Sequence, residues 1–220
     1  MSDLKKISIA NDVYETLEPM CFSVQLPAEL GSLSLSETQR AYLSPAPPEP
    51  FPYPRSEGLR QAVRDSLRFR GYKPTGRGKP AAEYLIGAFE KEIFSPTKGI
   101  NAAVDLCNLV SFHSGLPISV VDAGLLEGEL RIDWAPPKTT YPFNPSGQLI
   151  DASGLVSLFD TRGVSGTPVK DSQRTKTNES TESLVTILWT PKCEIQHGQH
   201  VLKWYCHEQE ALGWSLEPLS

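Results

Sequence analysis

The stretch "INAAVDLCNLVSFHSGLPISVVDAGLLEGELRI", residues 100–132, carries the clearest structural signals in this chain. Its first half predicts a helix that Asn101 caps and Gly115 ends. An asparagine side chain can accept from the free N–H groups of a first turn, and glycine readily takes the left-handed conformation at a helix end. The helix is apolar on nearly all sides, so we expect it to be buried at the centre of the fold. The second half consists of short β-type runs separated by glycine turns.

The central helix carries a row of polar residues, because Asp105, Asn108 and Ser111 repeat every three positions. A polar row on a buried helix needs partners, which are either a ligand or neighbouring loops. Two other reactive side chains lie on the same helix. Cys107 and His113 are both expected to be packing residues, since an apolar helix is an ordinary place for a buried thiol.

The rest of the chain predicts an α+β fold, a single domain with the central helix packed on a mixed or antiparallel β-sheet. Residues 6–26 are typical of a strand, a short helix and a second strand, and residues 201–212 of a final helix. The interpreted organisation has three parts: residues 1–55 contain N-terminal strands and a proline-rich connection within the same domain, residues 56–190 form the core, and residues 191–220 form a C-terminal extension. Further β-type runs occupy residues 117–123, 128–135, 140–144, 147–151, 155–160 and 184–189.

Positive charge is concentrated between residues 55 and 79. The segment contains eight basic and two acidic residues, a net charge of +6 in a chain whose formal charge is -5. Ser56 predicts the cap of a helix to Arg70, with three leucine or valine side chains on its buried face and arginines at a spacing of four on the next. The segment "GYKPTGRGKP", residues 71–80, follows directly, and Pro80 predicts the start of another helix that buries Leu85, Ile86 and Phe89. The pattern fits either a specific anionic partner or a solvated basic surface.

Several classes of protein are disfavoured by the sequence. It has no apolar run long enough for a membrane span and no secretory signal, so we expect a cytoplasmic protein with reduced cysteines. A nucleotide-triphosphate loop and a GxSxG elbow are both missing from the sequence, which argues against ATP binding and against a serine hydrolase. The group Cys193, His197, His200, Cys206 and His207 lacks a standard zinc spacing, and we expect no metal and no cofactor.

Three segments together resemble the tRNA-editing (B-three/B-four) domain of the phenylalanyl-tRNA synthetase beta subunit. Residues 100–132 are similar to its pattern N-x-V-V-D-x-T-N-Y followed by G-x-P-L-H-x-x-D. Residues 169–187, "VKDSQRTKTNESTESLVTI", resemble its later D-S-x-V-T-x-E-T stretch, and residues 71–85 resemble a G-x-K-P element of free-standing relatives. The resemblance covers about residues 56–190 and implies a stand-alone module, because the catalytic core of a synthetase is missing from this sequence.

Three positions depart from the family pattern, and in the family they line the amino-acid pocket. Cys107 stands where the family has threonine, Ser119 where it has histidine, and the family's glutamate falls near Thr186. The departures imply a pocket for a mischarged amino acid other than tyrosine. An aminoacyl ester is already activated, so a positioned water and donors to the developing oxyanion can suffice for its hydrolysis.

The resemblance implies a trans-acting deacylase that acts on mischarged aminoacyl-tRNA, and the acceptor end of tRNA would be its partner. A non-catalytic tRNA- or RNA-binding module is the alternative, and a metal hydrolase using the C-terminal Cys/His group is a third. The implied catalytic residues are Asn108 and Thr175. The implied pocket residues are Cys107, Ser119, Asp122, Asp171 and Ser172. The expected tRNA-binding residues are Arg60, Arg64, Arg68, Lys73, Arg77 and Lys79.

Overall fold

The helix predicted at residues 101–115 lies in the interior of the protein. In the computed structural model it spans Ala102–Ser114, and the Asn101 side chain accepts a hydrogen bond from Val104 N at 3.0 Å. Gly115 ends the helix with a φ of 79°. Val110 is completely buried and Val104 is half-buried, so the prediction of a buried helix is confirmed.

Five helices and ten strands are found in the described residues, which are 6–42, 51–91 and 99–219. The helices are α1 (Glu37–Tyr42), α2 (Glu57–Leu67), α3 (Ala81–Glu90), α4 (Ala102–Ser114) and α5 (Ile195–Glu210). The strands are β1 (Ile7–Ile9), β2 (Leu17–Gln25), β3 (Ile118–Asp122), β4 (Leu130–Trp134), β5 (Thr140–Pro142), β6 (Leu149–Asp151), β7 (Val156–Asp160), β8 (Gly163–Gly166), β9 (Ser183–Pro191) and β10 (Ser215–Pro218).

These strands form two four-stranded sheets and one hairpin. The first sheet has the order β1-β4-β7-β8, in which β1 and β4 are parallel and the other pairs are antiparallel. The second has the order β10-β2-β9-β3 and is antiparallel throughout. Strands β5 and β6 pair separately. The predicted α+β class with mixed and antiparallel sheets is therefore confirmed.

The second sheet lies between two hydrophobic cores. Along β9, Val185, Ile187 and Trp189 point into a core shared with the first sheet. Leu184 and Leu188 point the other way, into a core shared with α2, α4 and α5. Side chains alternate between the faces of a strand, so β9 buries both faces and joins three layers: sheet, sheet and helices.

The basic helix follows its prediction closely. Ser56 caps α2 by accepting from Leu59 N at 3.0 Å, and Leu59, Val63 and Leu67 are all buried. The α-helix ends at Leu67 and the chain reaches a left-handed glycine at Gly71, where φ is 83°. The cap and the buried stripe are thus confirmed, and the end comes slightly earlier than predicted.

Helix α3 differs from its prediction in burial. It begins after Pro80, but Leu85, Ile86 and Phe89 are half-buried and only Ala82 in this helix is fully buried. Helix α3 packs mainly against α4, where the centres of the Phe89 and Phe112 rings lie 4.8 Å apart. Because it is covered mainly by this one helix, its apolar side chains stay partly accessible to solvent.

The C-terminal part also differs. Helix α5 begins at Ile195, earlier than predicted, and β10 follows it and extends the second sheet beside β2. Strand β8 lies outside the β-type runs that the sequence predicts. Most of the proline-rich connection, residues 43–50, lies outside the described residues. None of the helices in the described residues combines the length and the apolar content needed to cross a membrane.

Gly115 provides a test of how α4 ends. A Cβ at this position would lie 2.8 Å from Arg55 Cβ, and the φ of 79° is unfavourable for any L side chain. We expect Gly115→Ala to lower the free energy of unfolding by about 1 to 2 kcal/mol or more. In α3, a Cβ added at Gly87 would meet no atom within 4 Å, so Gly87→Ala should raise it by about 0.5 to 1 kcal/mol. Urea unfolding of both variants makes the measurement, and equal effects would contradict this account of the helix end.

Candidate functional site

The glycine-rich segment of residues 71–80 has a fixed shape although it is neither helix nor strand. Tyr72 Oη donates to the carbonyl oxygen of Gly78 at 3.1 Å, and Tyr84 Oη donates to that of Gly76 at 2.8 Å. Gly76 has a φ of 55°, and a Cβ at Gly78 would lie 2.5 Å from Tyr72 Oη. The two tyrosines can therefore hold the backbone only because glycine stands at these positions.

This segment forms one wall of a cleft with a volume of about 420 Å³. Lys73 and Arg77 line it, and the opposite wall comes from residues 149–153 around β6. Lys79 lines a neighbouring cavity of about 500 Å³ between α2 and α3. Within the part of the chain that the structure describes, these three cations make no ion pair and no side-chain hydrogen bond. They are available to an outside partner.

The arginines of α2 have partners inside the protein. Arg64 makes two hydrogen bonds of 2.6 Å to the Glu83 carboxylate. Arg60 pairs with Glu57 and Arg68 with Asp65. Their charge is largely compensated locally, so the predicted row of phosphate-binding guanidinium groups is less available than the glycine-rich segment. Their role in tRNA binding stays a prediction.

Asp171 is the centre of a polar cluster where β3, β8 and β9 meet. Its carboxylate accepts from Thr167 N at 3.1 Å and from Val120 N at 3.3 Å. Ser119 Oγ lies within hydrogen-bonding reach of the same carboxylate, donates to Thr167 O at 3.0 Å and accepts from Trp189 Nε1 at 2.9 Å. Burial raises the pKa of Asp171 to about 6, although these donors act in the opposite direction.

Cys107 and Asn108 are adjacent on α4 but have different surroundings. The Cys107 thiol lies 3.7 Å from the carbonyl oxygen of Ile118, and burial raises its pKa, which keeps it protonated and unreactive. Asn108 is half-buried, and its amide makes no hydrogen bond to any described residue. Successive residues of an α-helix differ by about 100° in direction, so the two side chains leave the helix on different faces. Asn108 is thus open to a further partner.

Thr175 and Ser172 hold the loop that follows β8. Thr175 is fully buried, and its hydroxyl donates to the carbonyl oxygen of Ser165 at 2.7 Å. Ser172 is also buried, and its backbone N–H donates to the same oxygen at 3.0 Å. The hydroxyl proton of Thr175 is therefore already used inside the protein, and its catalytic role stays a prediction.

Asp122 and Thr186 likewise belong to the interior. The Asp122 carboxylate accepts from Thr181 Oγ1 at 2.7 Å and from Gly124 N at 2.8 Å, and it thereby fixes the turn after β3. Thr186 is fully buried in β9, and its hydroxyl has no hydrogen-bond partner among the described residues. The Asp122 carboxylate is thus already hydrogen-bonded inside the protein, and Thr186 has no carboxylate to replace the family's glutamate.

Two lysines that the sequence analysis did not assign lie beside this cluster. The Lys170 ammonium is 4.6 Å from the centre of the Tyr84 ring and 4.2 Å from that of Phe143. The Lys176 ammonium donates to the carbonyl oxygen of Phe143 at 2.6 Å. Burial lowers the pKa of both lysines, and the nearby Arg77 lowers that of Lys170 further. Their only signal in the sequence is a basic, hydroxyl-rich loop without a recognisable phosphate-binding spacing.

The C-terminal histidines are engaged in packing. His197 Nε2 lies 3.0 Å from the carbonyl oxygen of Ser114, and the His200 ring stacks on Tyr53 at 4.8 Å. Across the three described ranges, no group of three or more His, Cys, Asp or Glu side chains is placed to hold a metal ion.

The raised pKa of Asp171 predicts a dependence of stability on pH. In an unfolded chain an aspartate has a pKa near 3.9, so the folded protein binds an extra proton between about pH 4 and about pH 6. The stability that this proton contributes is complete below pH 4 and is lost as the pH rises through 6. Compared with Asp171→Asn, the wild type should lose about 1 to 3 kcal/mol between pH 4 and pH 7 in urea unfolding. A difference that does not change with pH would contradict the burial of this carboxylate.

No curated protein matches the sequence. A solved N-terminal fragment of the phenylalanyl-tRNA synthetase beta-subunit from Pyrococcus horikoshii is similar with a TM-score of 0.49 and 7% identity, covering 96% of this chain and 50% of that one. This chain therefore spans about half the length of that fragment.

The B3/4 domain family matches residues 90–196, a range that contains α4, the Asp171 cluster and both unassigned lysines. The match confirms the resemblance drawn from the sequence for this part of the chain.

Proposed function

We propose that this protein binds tRNA and that its glycine-rich segment contacts the tRNA phosphates. One observation carries the proposal: Lys73, Arg77 and Lys79 have no ion-pair partner among the described residues and stand on a backbone that two tyrosines hold in place. Phosphate contacts supply most of the affinity of a protein for nucleic acid. The resemblance to a tRNA-editing domain favours tRNA over other polyanions.

The contrast with α2 explains why this segment is favoured. An arginine that already pairs with a carboxylate must give up that contact before it binds a phosphate, so its net gain is small. A cation without such a pair gives up no contact, and its binding to a phosphate releases counterions from the nucleic acid. The glycines also let a phosphate approach the backbone closely, since no Cβ stands in the way.

The first test is the salt dependence of tRNA binding. Replacing Lys73, Arg77 and Lys79 together by alanine should weaken binding. It should also reduce the slope of log K against log salt by about 0.7 to 0.9 for each lost contact. Fluorescence anisotropy with labelled tRNA over a series of salt concentrations measures both quantities.

Arg60→Gln combined with Arg68→Gln is the matched control. Both arginines are exposed, with 45% and 44% of their side chains accessible to solvent. Unlike the three cations of the glycine-rich segment, they are paired, Arg60 with Glu57 and Arg68 with Asp65. We expect little change of slope in the control. If the control loses the slope and the triple variant keeps it, the tRNA phosphates lie along α2 instead.

A deacylase activity on mischarged aminoacyl-tRNA is the second candidate function, and the free amide of Asn108 favours it. An amide that is half-buried and unpartnered among the described residues can donate to an ester carbonyl oxygen. The attacking water would need only positioning, with help from the ribose hydroxyl of the substrate. A tRNA-binding module without catalysis is the alternative to this candidate.

Two substitutions separate a catalytic residue from a structural one. Asn108→Ala should lower deacylation about 10²-fold or more in a panel of mischarged tRNAs, with tRNA affinity and folding unchanged. Thr175→Ala should instead lower the free energy of unfolding by about 0.5 to 1.5 kcal/mol, because the buried Ser165 carbonyl loses one of its two donors and keeps only the Ser172 N–H. Thr175→Ser keeps the hydroxyl and is the control. If no mischarged tRNA in the panel is hydrolysed, the protein is a binding module.

A further inference from the structure

We propose that Lys170 and Lys176 form a separate anion-binding site whose ligand is a phosphate group. Neither lysine has been given a role above. The existence of the site does not depend on the proposed function. Only the source of the phosphate, tRNA or a small phosphate compound, rests on it.

The two ammonium groups belong to one site because both contact Phe143. Lys170 Nζ lies 4.2 Å from the centre of the Phe143 ring, and Lys176 Nζ donates to the Phe143 carbonyl oxygen at 2.6 Å. Lys170 is held from its other side by the Tyr84 ring at 4.6 Å. Two half-buried ammonium groups are thus fixed in position by aromatic rings and a carbonyl oxygen.

Most of the hydrogen-bonding capacity of these ammonium groups is unused. Each ammonium group has three N–H donors. Within the described residues Lys176 uses one of them and Lys170 uses none, and neither lysine lies within ion-pair distance of a carboxylate. A half-buried donor without an acceptor is unfavourable unless water or a ligand supplies one. An anion would satisfy several donors at once.

The local charge also favours an anion. Arg77 lies close enough to Lys170 to lower its pKa, so three cations act on this region. Asp171 is the acid that acts on Lys176, and its carboxylate can offset only one of these three charges. The region therefore keeps an excess of positive charge.

A phosphate group fits these features better than a carboxylate does. Its oxygens point in several directions and can accept from two ammonium groups that approach from different sides. Arg77 also lines the cleft with Lys73, so a phosphate at the two lysines would be a neighbour of phosphates bound at the glycine-rich segment. Under the proposed function, one tRNA strand reaches both places.

Titration with inorganic pyrophosphate tests the site directly. We expect binding to the wild type, about tenfold weaker binding to Lys170→Gln and to Lys176→Gln, and no change for Lys203→Gln. Lys203 is the control because it is exposed on α5 and makes no ion pair with any described residue.

A second measurement avoids any dependence on how the variants fold. Lys170 and Lys176 of the wild-type protein can be acylated by an amine-specific reagent and quantified by mass spectrometry. Pyrophosphate should protect these two lysines and leave Lys203 unprotected. If pyrophosphate protects all three equally or none, and the two variants bind it like the wild type, the site does not exist and the lysines only pack against the rings.

Competition with tRNA identifies the source of the phosphate. If pyrophosphate displaces tRNA from the wild type and both glutamine variants bind tRNA more weakly, the site holds a tRNA phosphate. If pyrophosphate binds without displacing tRNA, the site stands and its ligand is a small phosphate compound. Failure of the proposed function gives a result that differs from failure of the anion site. The variant lacking Lys73, Arg77 and Lys79 would then bind tRNA like the wild type, while pyrophosphate would still protect Lys170 from acylation.

Discussion

The burial of both faces of β9 is the constraint on which the rest of the structure depends. This strand pairs with β2 on one side and β3 on the other, and its alternate residues enter two separate cores. A strand in this position must be largely apolar on both faces, because both faces pack in the interior, and Thr186 and Thr190 are its buried polar residues. The first sheet and the helices therefore pack on opposite faces of the second sheet. The loop between β8 and β9 runs along the edge of the second sheet.

The candidate site is a consequence of that layering. Asp171 sits where the loop crosses from β8 to β9, and two backbone N–H groups hold it there. The same arrangement fixes the neighbouring residues 170 and 176 against Phe143. Asn101 contributes from the other side, since its amide caps α4 and also donates to Thr177 Oγ1 at 3.0 Å. The loop is therefore tied to the sheet and to the central helix together.

The availability of the basic side chains for an outside partner depends on whether each of them pairs with an acid, more than on how many there are. The basic segment of residues 55–79 contains eight cations, but those on α2 face acids within the same helix or on α3. Those in the glycine-rich segment, on a backbone held by Tyr72 and Tyr84, pair with no acid in the described ranges. The segment is uniformly basic in the sequence, but in the structure the cations on α2 are paired with acids, while those of the glycine-rich segment are free of ion pairs to described residues. Only the free part gains from binding an anion at low cost.

The sequence by itself determined the α+β class, the buried central helix with its Asn101 cap and Gly115 end, the capped basic helix and the resemblance to the B3/4 domain. These features depend on local periodicity, on capping residues and on short motifs, which can all be recognised in the sequence. It did not reveal β8, β10 or the true start of α5, because weak strands and helix ends are decided by the partners they find. Only the tertiary structure decided which polar residues are free. Thr175 and Ser119 are hydrogen-bonded inside the protein, the Asn108 amide has no partner among the described residues, and Lys170 and Lys176 meet at Phe143. In each case the partner is a residue far away in the sequence or is not supplied by the described part of the chain.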